Sequence, residues 1–445
     1  MMKRKRLTTL ALMLVLTVTL TAAAQAEVKN MILLVGDGLG IGQMDMARYF
    51  EGGKDHELEM MKLPHVGLMM TSSAEGITDS AAAGTAMATR YKTNNGMVGM
   101  TPSGAEVDSV LDFAQVRGKS TGIISTNTVN DATPAAFATS AKDRGDDEAI
   151  SRQIIENDVD VVLGGGGGDF TEEILTTASE KGYEIVKTEN ELASVDSSKV
   201  LGLFNDSYMN YTLDRDDVDS KEPSQLEMTK KAIETLSQNE NGFFLMSEGA
   251  RIDHAAHAAD IPGVVAETMA FDKTVEYAVN WAKENGDTLV VVVADHETMG
   301  IDVSEAMNVE ALKDIEVSPE YMAAQMNKKE NGNGLTISSI KNVFEKYADI
   351  ELTNEEAKEF NQSVLNDDGS LFYTYKIGWK IGSVISKKYN VGVQSAAVRA
   401  KSSTGGHTLN SVPIFAYGEG AEKFDDVMQN TELSELLFDA FKPAN

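Results

Sequence analysis

Apolar residues in this chain gather into short unbroken runs rather than alternating with polar ones. Met31 to Val35, Val66 to Met70, Gly122 to Ser125, Val159 to Leu163, Phe243 to Met246, Leu289 to Ala294 and Val412 to Tyr417 are the clearest. A run that is apolar at successive positions buries both of its faces, which is the pattern of a parallel strand covered by helices on both sides. Segments with the spacing of amphipathic helices fall between most of these runs. The pattern predicts an α/β fold: a doubly wound, mostly parallel sheet flanked by helices. In sheets of that kind ligands bind beyond the carboxyl ends of the strands.

The residues that close the runs narrow the search. Asp37 follows the first, Glu248 follows Phe243 to Met246, and Asp295 with His296 follows Leu289 to Ala294. One carboxylate at a strand end is an ordinary cap or turn residue, but three such ends, one with an imidazole attached, predict a shared metal cleft. Between His296 and His407 the chain changes character. Polar helix formers predominate, with a break at Asn331-Gly332-Asn333-Gly334 and an aromatic patch at Phe372-Tyr373-Thr374-Tyr375. This stretch, residues 300–400 or so, reads as an insertion on the rim of the cleft, either a small lobe or a run of surface helices with no core of its own. The glycine run Gly164 to Gly168 is not followed by Gly-Lys-Ser/Thr and lacks the spacing of a dinucleotide turn. It reads as a tight loop beneath the sheet.

The amino terminus adds an address. Lys3 to Arg6, an apolar stretch from Leu10 to Leu20, and Ala24-Gln25-Ala26 make a cleavable export signal over residues 1–26. That leaves 27–445 as the mature domain and predicts a periplasmic or secreted protein. The apolar stretch is too short to cross a bilayer, and no later run reaches about 18 residues, so no membrane anchor is expected. With no cysteine in the sequence there is neither a thiol for lipid attachment nor a disulfide framework. Lys and Arg number 39 against 69 Asp and Glu, a net charge of −30. Such a surface repels nucleic-acid phosphates and anionic membranes, so no nucleic-acid partner is expected and an anionic substrate must be drawn by a local cluster of cations.

The candidate chemistry lies in six places. Gly36-Asp37-Gly38 delivers a carboxylate into a turn whose small neighbours admit a ligand, though an ordinary turn has the same sequence. In Thr78-Asp79-Ser80-Ala81-Ala82 either Asp79 or Ser80 caps an alanine-rich helix. A serine there sits where free N–H groups and the helix dipole favour a phosphate or an alkoxide. Asp253 and His257, four apart, share a helix face and can hold one metal ion. Asp295-His296 and His407 bring more ligands, so that, with His254 between Asp253 and His257, four of only six histidines fall in these segments. Asp131 and Thr133 are hard oxygen donors suited to magnesium, and Arg144, close behind them, has the fork that grips two phosphate oxygens.

Taken in order, Gly36-Asp37-Gly38, Asp79-Ser80-Ala81-Ala82, Asp131-Ala132-Thr133-Pro134, Glu248 to His257, Ala294-Asp295-His296 and Thr404-Gly405-Gly406-His407-Thr408 closely resemble the motifs of the alkaline phosphatase family in its bacterial, exported form. The resemblance spans nearly all of the chain after the signal. It implies metal-dependent hydrolysis of small phosphate monoesters at alkaline pH through a phosphoserine on Ser80, with Arg144 on the phosphoryl oxygens. It implies two zinc ions, one held by Asp253, His257 and His407 and the other by Asp37, Asp295 and His296. It further implies one magnesium ion held by Asp37, Thr133 and Glu248, with Asp131 reaching it through water. Some relatives carry lysine at the position of His254 and others histidine at that of Asp131. The pair would tune magnesium affinity and product release from behind the direct ligands. A homodimer is also implied. A sulfatase would need a Cys/Ser-x-Pro-x-Arg setting that Ser80 lacks. A phosphodiesterase usually presents threonine without an equivalent of Arg144, and a metalloprotease needs His-Glu-x-x-His. A zinc- or phosphate-binding protein without turnover would have no use for Ser80 beside the metals.

Overall fold

The computed structural model describes residues 28–330 and 333–442; residues 1–26, where the sequence leads one to expect an export signal, and Asn331-Gly332 lie outside the described residues. Asn30–Gly36 forms strand β1, buried along its whole length. The other strands are β2 (His65–Met70), β3 (Ser120–Thr128), β4 (Val161–Gly165), β5 (Glu184–Val186), β6 (Val200–Leu203), β7 (Phe243–Gly249), β8 (Thr288–Val293), β9 (Val412–Gly418) and β10 (Val427–Gln429). They form one sheet in the order β10-β2-β9-β8-β1-β7-β3-β4-β6-β5. The apolar runs of β1, β7 and β8 occupy its middle, where helices on both faces cover them. Among the described residues no helix is long and apolar enough to cross a membrane.

Three expectations are corrected. β9 is not parallel: it runs antiparallel to both β8 and β2. His407 bridges to Thr298 just past β8, so the chain enters β9 from the carboxyl end of the sheet and must run back down. Nor is the Val66 to Met70 run buried on both faces, since Val66, Leu68 and Met70 are exposed; β2 lies next to the edge and only its Gly67 and Met69 side packs inward. Finally, the glycine run sits at the carboxyl end of β4, not beneath the sheet. The Gly166 and Gly167 N–H groups donate to the carbonyls of Ser207 and Asn205, and a Cβ on Gly165 would fall 2.2 Å from the Ser207 carbonyl oxygen. The glycines thus seat the loop that carries Tyr208.

Between residues 300 and 400 the chain forms helices Val309–Lys313, Pro319–Ala324, Ile337–Ala348, Asn354–Ser363, Thr374–Lys388 and Ala396–Arg399. Phe344, Phe360, Leu312, Met322, Ile340 and Ile381 are buried together there, in a cluster that also includes Met46 and Ala255. Helix Thr374–Lys388 comes so close to the backbone after His257 that a Cβ on Gly382 would lie 1.9 Å from the Ala258 carbonyl oxygen. Only glycine permits that seat.

Asp260 caps the 25-residue helix Ile261–Asn285, with Oδ1 accepting from the Gly263 N–H at 3.1 Å. Its Oδ2 is buried without a partner, and burial pushes the carboxyl up to about 8. An unfolded aspartate releases its proton near pH 4 (about 3.9), so the folded state holds this proton more tightly. The stability linked to it is lost as pH rises from about 4 to about 8. Asp260→Asn keeps a cap acceptor and removes the charge. It is expected to raise the thermal midpoint by a few degrees at pH 9 and to give no such gain at pH 5; the same change at both pH values would sink the assignment.

Candidate active site

Four neighbouring strands deliver the charged cluster. Val35 of β1 lies opposite Glu248 of β7 and Val293 of β8, so Asp37 and Asp295, just past their strands, emerge near Glu248. The Gly38 N–H donates to Asp295 Oδ1 at 3.1 Å and ties two of these ends together. On the far side of β7, the turn after β3 opens helix Ala132–Ala138, with Asp131 before it and Thr133 in its first turn.

Asp253 and His257 sit one turn apart on helix Arg251–His257, with His257 Nε2 3.1 Å from Asp253 Oδ2. His407 arrives from the glycine-rich loop, and its Nε2 is 3.2 Å from that of His257. The opposite nitrogen of each ring meets a backbone carbonyl: His257 Nδ1 lies 3.0 Å from Gly405 O, and His407 Nδ1 lies 2.9 Å from Thr78 O. A carbonyl only accepts, so both Nδ1 atoms carry a proton and both rings turn Nε2 towards Asp253. Burial lowers His407 to about 3, so the neutral ring is the working form. The bare His407 Nε2 and Asp253 Oδ1, 3.7 Å apart with no hydrogen between them, repel one another unless a cation joins them.

Asp37, Asp295 and His296 form a second group. His296 Nε2 lies 3.1 Å from Asp295 Oδ2, 3.5 Å from Asp37 Oδ1 and 3.2 Å from Ser80 Oγ. Burial, then the charges of Asp295, Asp253 and Glu248, raises the Asp37 carboxyl well above its usual range. Burial takes Asp295 up to about 6 and His296 down to about 4. Beyond β7, Ser125 Oγ donates to Glu248 Oε2 at 2.5 Å, and burial drives the Glu248 carboxyl to about 8. Asp131 accepts from Asn127 Nδ2 at 2.6 Å and from Arg144 Nη2 at 3.0 Å. Burial opposes its charge, but Arg144 and the Ala132 N–H outweigh that and hold its carboxyl below the usual range.

The donor atoms fit metal ions. Asp37 Oδ1, Asp295 Oδ2, Glu248 Oε1 and Thr133 Oγ1 are all buried without a hydrogen-bond partner. Buried polar atoms are seldom left so, and four in one cleft mark positions a cation completes. The two histidine groups offer the nitrogen and oxygen donors zinc takes, and Glu248, Thr133 and Asp131 offer the oxygen donors of magnesium.

Asp79 turns out to be the cap: its Oδ1 accepts from the Ala82 N–H at 3.0 Å. Ser80 therefore opens helix Ser80–Thr89 with its hydroxyl left for the cleft. Asp79 Oδ2 accepts from the Gly96 N–H at 2.8 Å and stands 3.5 Å from Arg144 Nη1, so carboxylates hold the guanidinium from two sides. Ser80, Arg144, Asp253, His254, His257 and His407 line one cavity of about 300 Å³. His254 Nδ1 accepts from Arg251 Nη1 at 2.6 Å, which leaves the ring proton on Nε2; burial and the Arg251 charge lower this imidazole to about 3.

This geometry has relatives. The sequence model of the alkaline phosphatase family matches residues 28–442. The chain belongs to the alkaline phosphatase family. Its members are metal-dependent hydrolases of phosphate monoesters, and this chain is such an enzyme. Alkaline phosphatase 4 of Bacillus subtilis is 33% identical over 434 residues, covering 93% of this chain and 89% of the relative. The crystal structure of the Thermus thermophilus alkaline phosphatase superposes with a TM-score of 0.81 at 26% identity, covering 94% of this chain and 93% of that one. A histidine-to-aspartate variant of the alkaline phosphatase from the Antarctic bacterium TAB5, solved with magnesium bound in its M3 site, gives a TM-score of 0.66 at 27% identity. It covers 95% of this chain and 100% of its own.

Sequence reasoning missed Thr298. Its Oγ1 donates to Asp253 Oδ1 at 2.5 Å and lies 3.3 Å from His296 Nδ1, so one hydroxyl orients a side chain in each histidine group. Its place two residues after His296 was the available signal. Glu297 was missed too: Gln43 Nε2 donates to it at 2.9 Å, and Thr408 Oγ1 donates to its other oxygen, which pins the His296 and His407 loops together.

Proposed function

We propose that the chain is an exported phosphomonoesterase active at alkaline pH, which takes phosphate onto Ser80 and then passes it to water. One observation carries the reading: Ser80 Oγ stands 3.2 Å from His296 Nε2 in the cavity that Arg144 enters, between two groups that could each hold a metal ion. Asp37, Asp295 and His296 would hold one zinc, and Asp253, His257 and His407 would hold the other. Thr133 and Glu248, with Asp37, would hold magnesium, and Asp131 would act on it from behind these ligands. The all-oxygen donor set supports magnesium, as does the TAB5 variant that binds it in M3. When bound, such cations neutralise the entering and leaving oxygens and acidify water.

The chain's own groups do the rest. The Ser80 hydroxyl loses its proton to solvent and its oxygen bonds to phosphorus while the bond from phosphorus to the ester oxygen breaks, and the alcohol leaves with a proton taken from solvent. Arg144 holds two of the remaining phosphoryl oxygens. Water then attacks the phosphoserine from the opposite side, releasing phosphate and restoring Ser80. An alkaline optimum is supported by Glu248 at about 8 and Asp295 at about 6, because protons compete with cations for these oxygens until the pH is high. Export rests on the basic, apolar and Ala24-Gln25-Ala26 segments. A homodimer is supported by the exposed apolar strip of Val66, Leu68, Met70 and Val427 on the paired strands β2 and β10.

The test compares a chromogenic phosphate monoester with a diester and a sulfate ester between pH 7 and pH 10. The monoester is expected to react fastest at the alkaline end, by at least about a hundredfold over the other two, a gap of roughly 2.7 kcal/mol in transition-state binding. Diester or sulfate turnover exceeding that of the monoester would overturn the substrate assignment.

A further inference from the structure

We propose that helix Thr374–Lys388 and the loop after β6 build a subsite for flat aromatic leaving groups, so that the preferred substrates are monoesters of the nucleoside monophosphate kind. The inference rests on the phosphomonoesterase reading and adds the substrate class to it. Tyr208, Tyr375 and Trp379 line the same cavity as Ser80 and Arg144. None of the three is packed away: Trp379 and Tyr375 are half-buried and Tyr208 is 38% exposed. A single aromatic ring at a surface is ordinary, but three around the mouth of one reactive cavity make a place for another ring.

Their position relative to the chemistry decides which end of the substrate they meet. Ser80 attacks from the His296 side, so the ester oxygen leaves in line on the opposite side, towards Asp253, His257 and His407. Trp379 stands there, its ring centroid 5.2 Å from that of His257 with 22° between the planes. Tyr375 packs against Trp379 at 5.9 Å and 75°. On the facing element Tyr208 meets the His254 ring at 5.0 Å and 68°. The walls are held firmly. Gly382 seats the helix on the Ala258 carbonyl, Arg399 Nη1 donates to His257 O at 2.6 Å while its Nη2 donates to Trp379 O at 3.3 Å, and the close approach at Gly165 fixes the Tyr208 loop. Preformed walls lose little freedom on binding, so ring contact adds to affinity.

The experiment uses the full-length, metal-loaded enzyme and two esters with the same reacting primary alcohol: adenosine 5′-monophosphate and methyl riboside 5-phosphate, which lacks the base. Base stacking on an aromatic side chain is sufficient for about a tenfold preference, so kcat/KM is expected to favour the nucleotide by about that factor, mainly through KM. Tyr375→Leu and Tyr208→Leu, on separate elements, should each bring the ratio towards one, and Tyr375→Phe should keep it. Equal kcat/KM for the two esters in the parent enzyme, or an unchanged ratio in both leucine variants, overturns the subsite and leaves the phosphatase standing. Failure to hydrolyse either ester overturns the phosphomonoesterase reading and the subsite with it.

Discussion

Ser80→Ala is expected to lower kcat for phosphate monoesters by at least about a thousandfold, on the scale seen when a covalent nucleophile is removed, while the protein stays folded and keeps its metals. The side chain has little structural work. It lies at the first position of helix Ser80–Thr89, where Asp79 already supplies the cap, and its one side-chain partner is His296 Nε2 at 3.2 Å. Alanine is the better helix former there. None of the atoms that hold the histidine rings in register, the Gly405 and Thr78 carbonyls and Thr298 Oγ1, belongs to Ser80. The loss therefore separates chemistry from architecture. Acid-quenched parent enzyme should carry a phosphoserine at Ser80, and the variant should carry none at an unchanged melting temperature and metal content. Activity within tenfold of the parent would sink Ser80 as the nucleophile.

The sequence was legible where the fold is simplest. Asp37, Glu248, Asp295 and His296 could be read because each follows an apolar run, and a parallel sheet gathers the ends of such runs at one edge. Asp253 and His257 could be read because a helix brings residues four apart onto one face. Strand direction could not. The run Val412 to Tyr417 looks the same whether the chain enters it from above or below, and the return of the chain from His407 decides the matter. Val66, Leu68 and Met70 failed for a related reason: their apolar character favours burial, but on β2, one strand in from the edge, that face is left uncovered. β5, β6 and β10 are only three or four residues long and carry too short a pattern to register.

The supports of the site were harder still. Thr78 and Gly405 act through backbone carbonyls, which leave no mark on the choice of side chain. The pair Tyr375 and Trp379, four apart, could have been seen to share a helix face. Which way that face turns depends on Gly382 meeting the carbonyl after His257, a contact more than a hundred residues distant in sequence.

Metal removal is expected to cost the most stability, and the loss should grow with pH. The reason lies in the carboxyls that burial raises: Asp37 well above its usual range, Asp295 to about 6 and Glu248 to about 8. Unfolded Asp and Glu release their protons near pH 4 (about 3.9 and 4.3), so the metal-free folded state binds these protons more tightly. The stability linked to them is lost as pH rises from about 4 through the folded values to about 8. By pH 9 the metal-free cleft holds clustered carboxylates with neither proton nor cation between them. The loaded protein moves the other way, because deprotonated ligands bind cations more strongly. A cation present at about a thousand times its Kd contributes about 4 kcal/mol by mass action, and the three proposed sites together would shift the midpoint of a chain this size on the order of 10 °C. Thermal unfolding with and without a chelator should therefore show a gap of that order at pH 9 and a much smaller one at pH 6. Trp379, stacked on His257, should report the metal loss by a change in fluorescence before unfolding begins. Midpoints that coincide at pH 9, or a gap that is larger at pH 6, would mean that cations do not balance these buried oxygens, and the metal assignments would fall with that result.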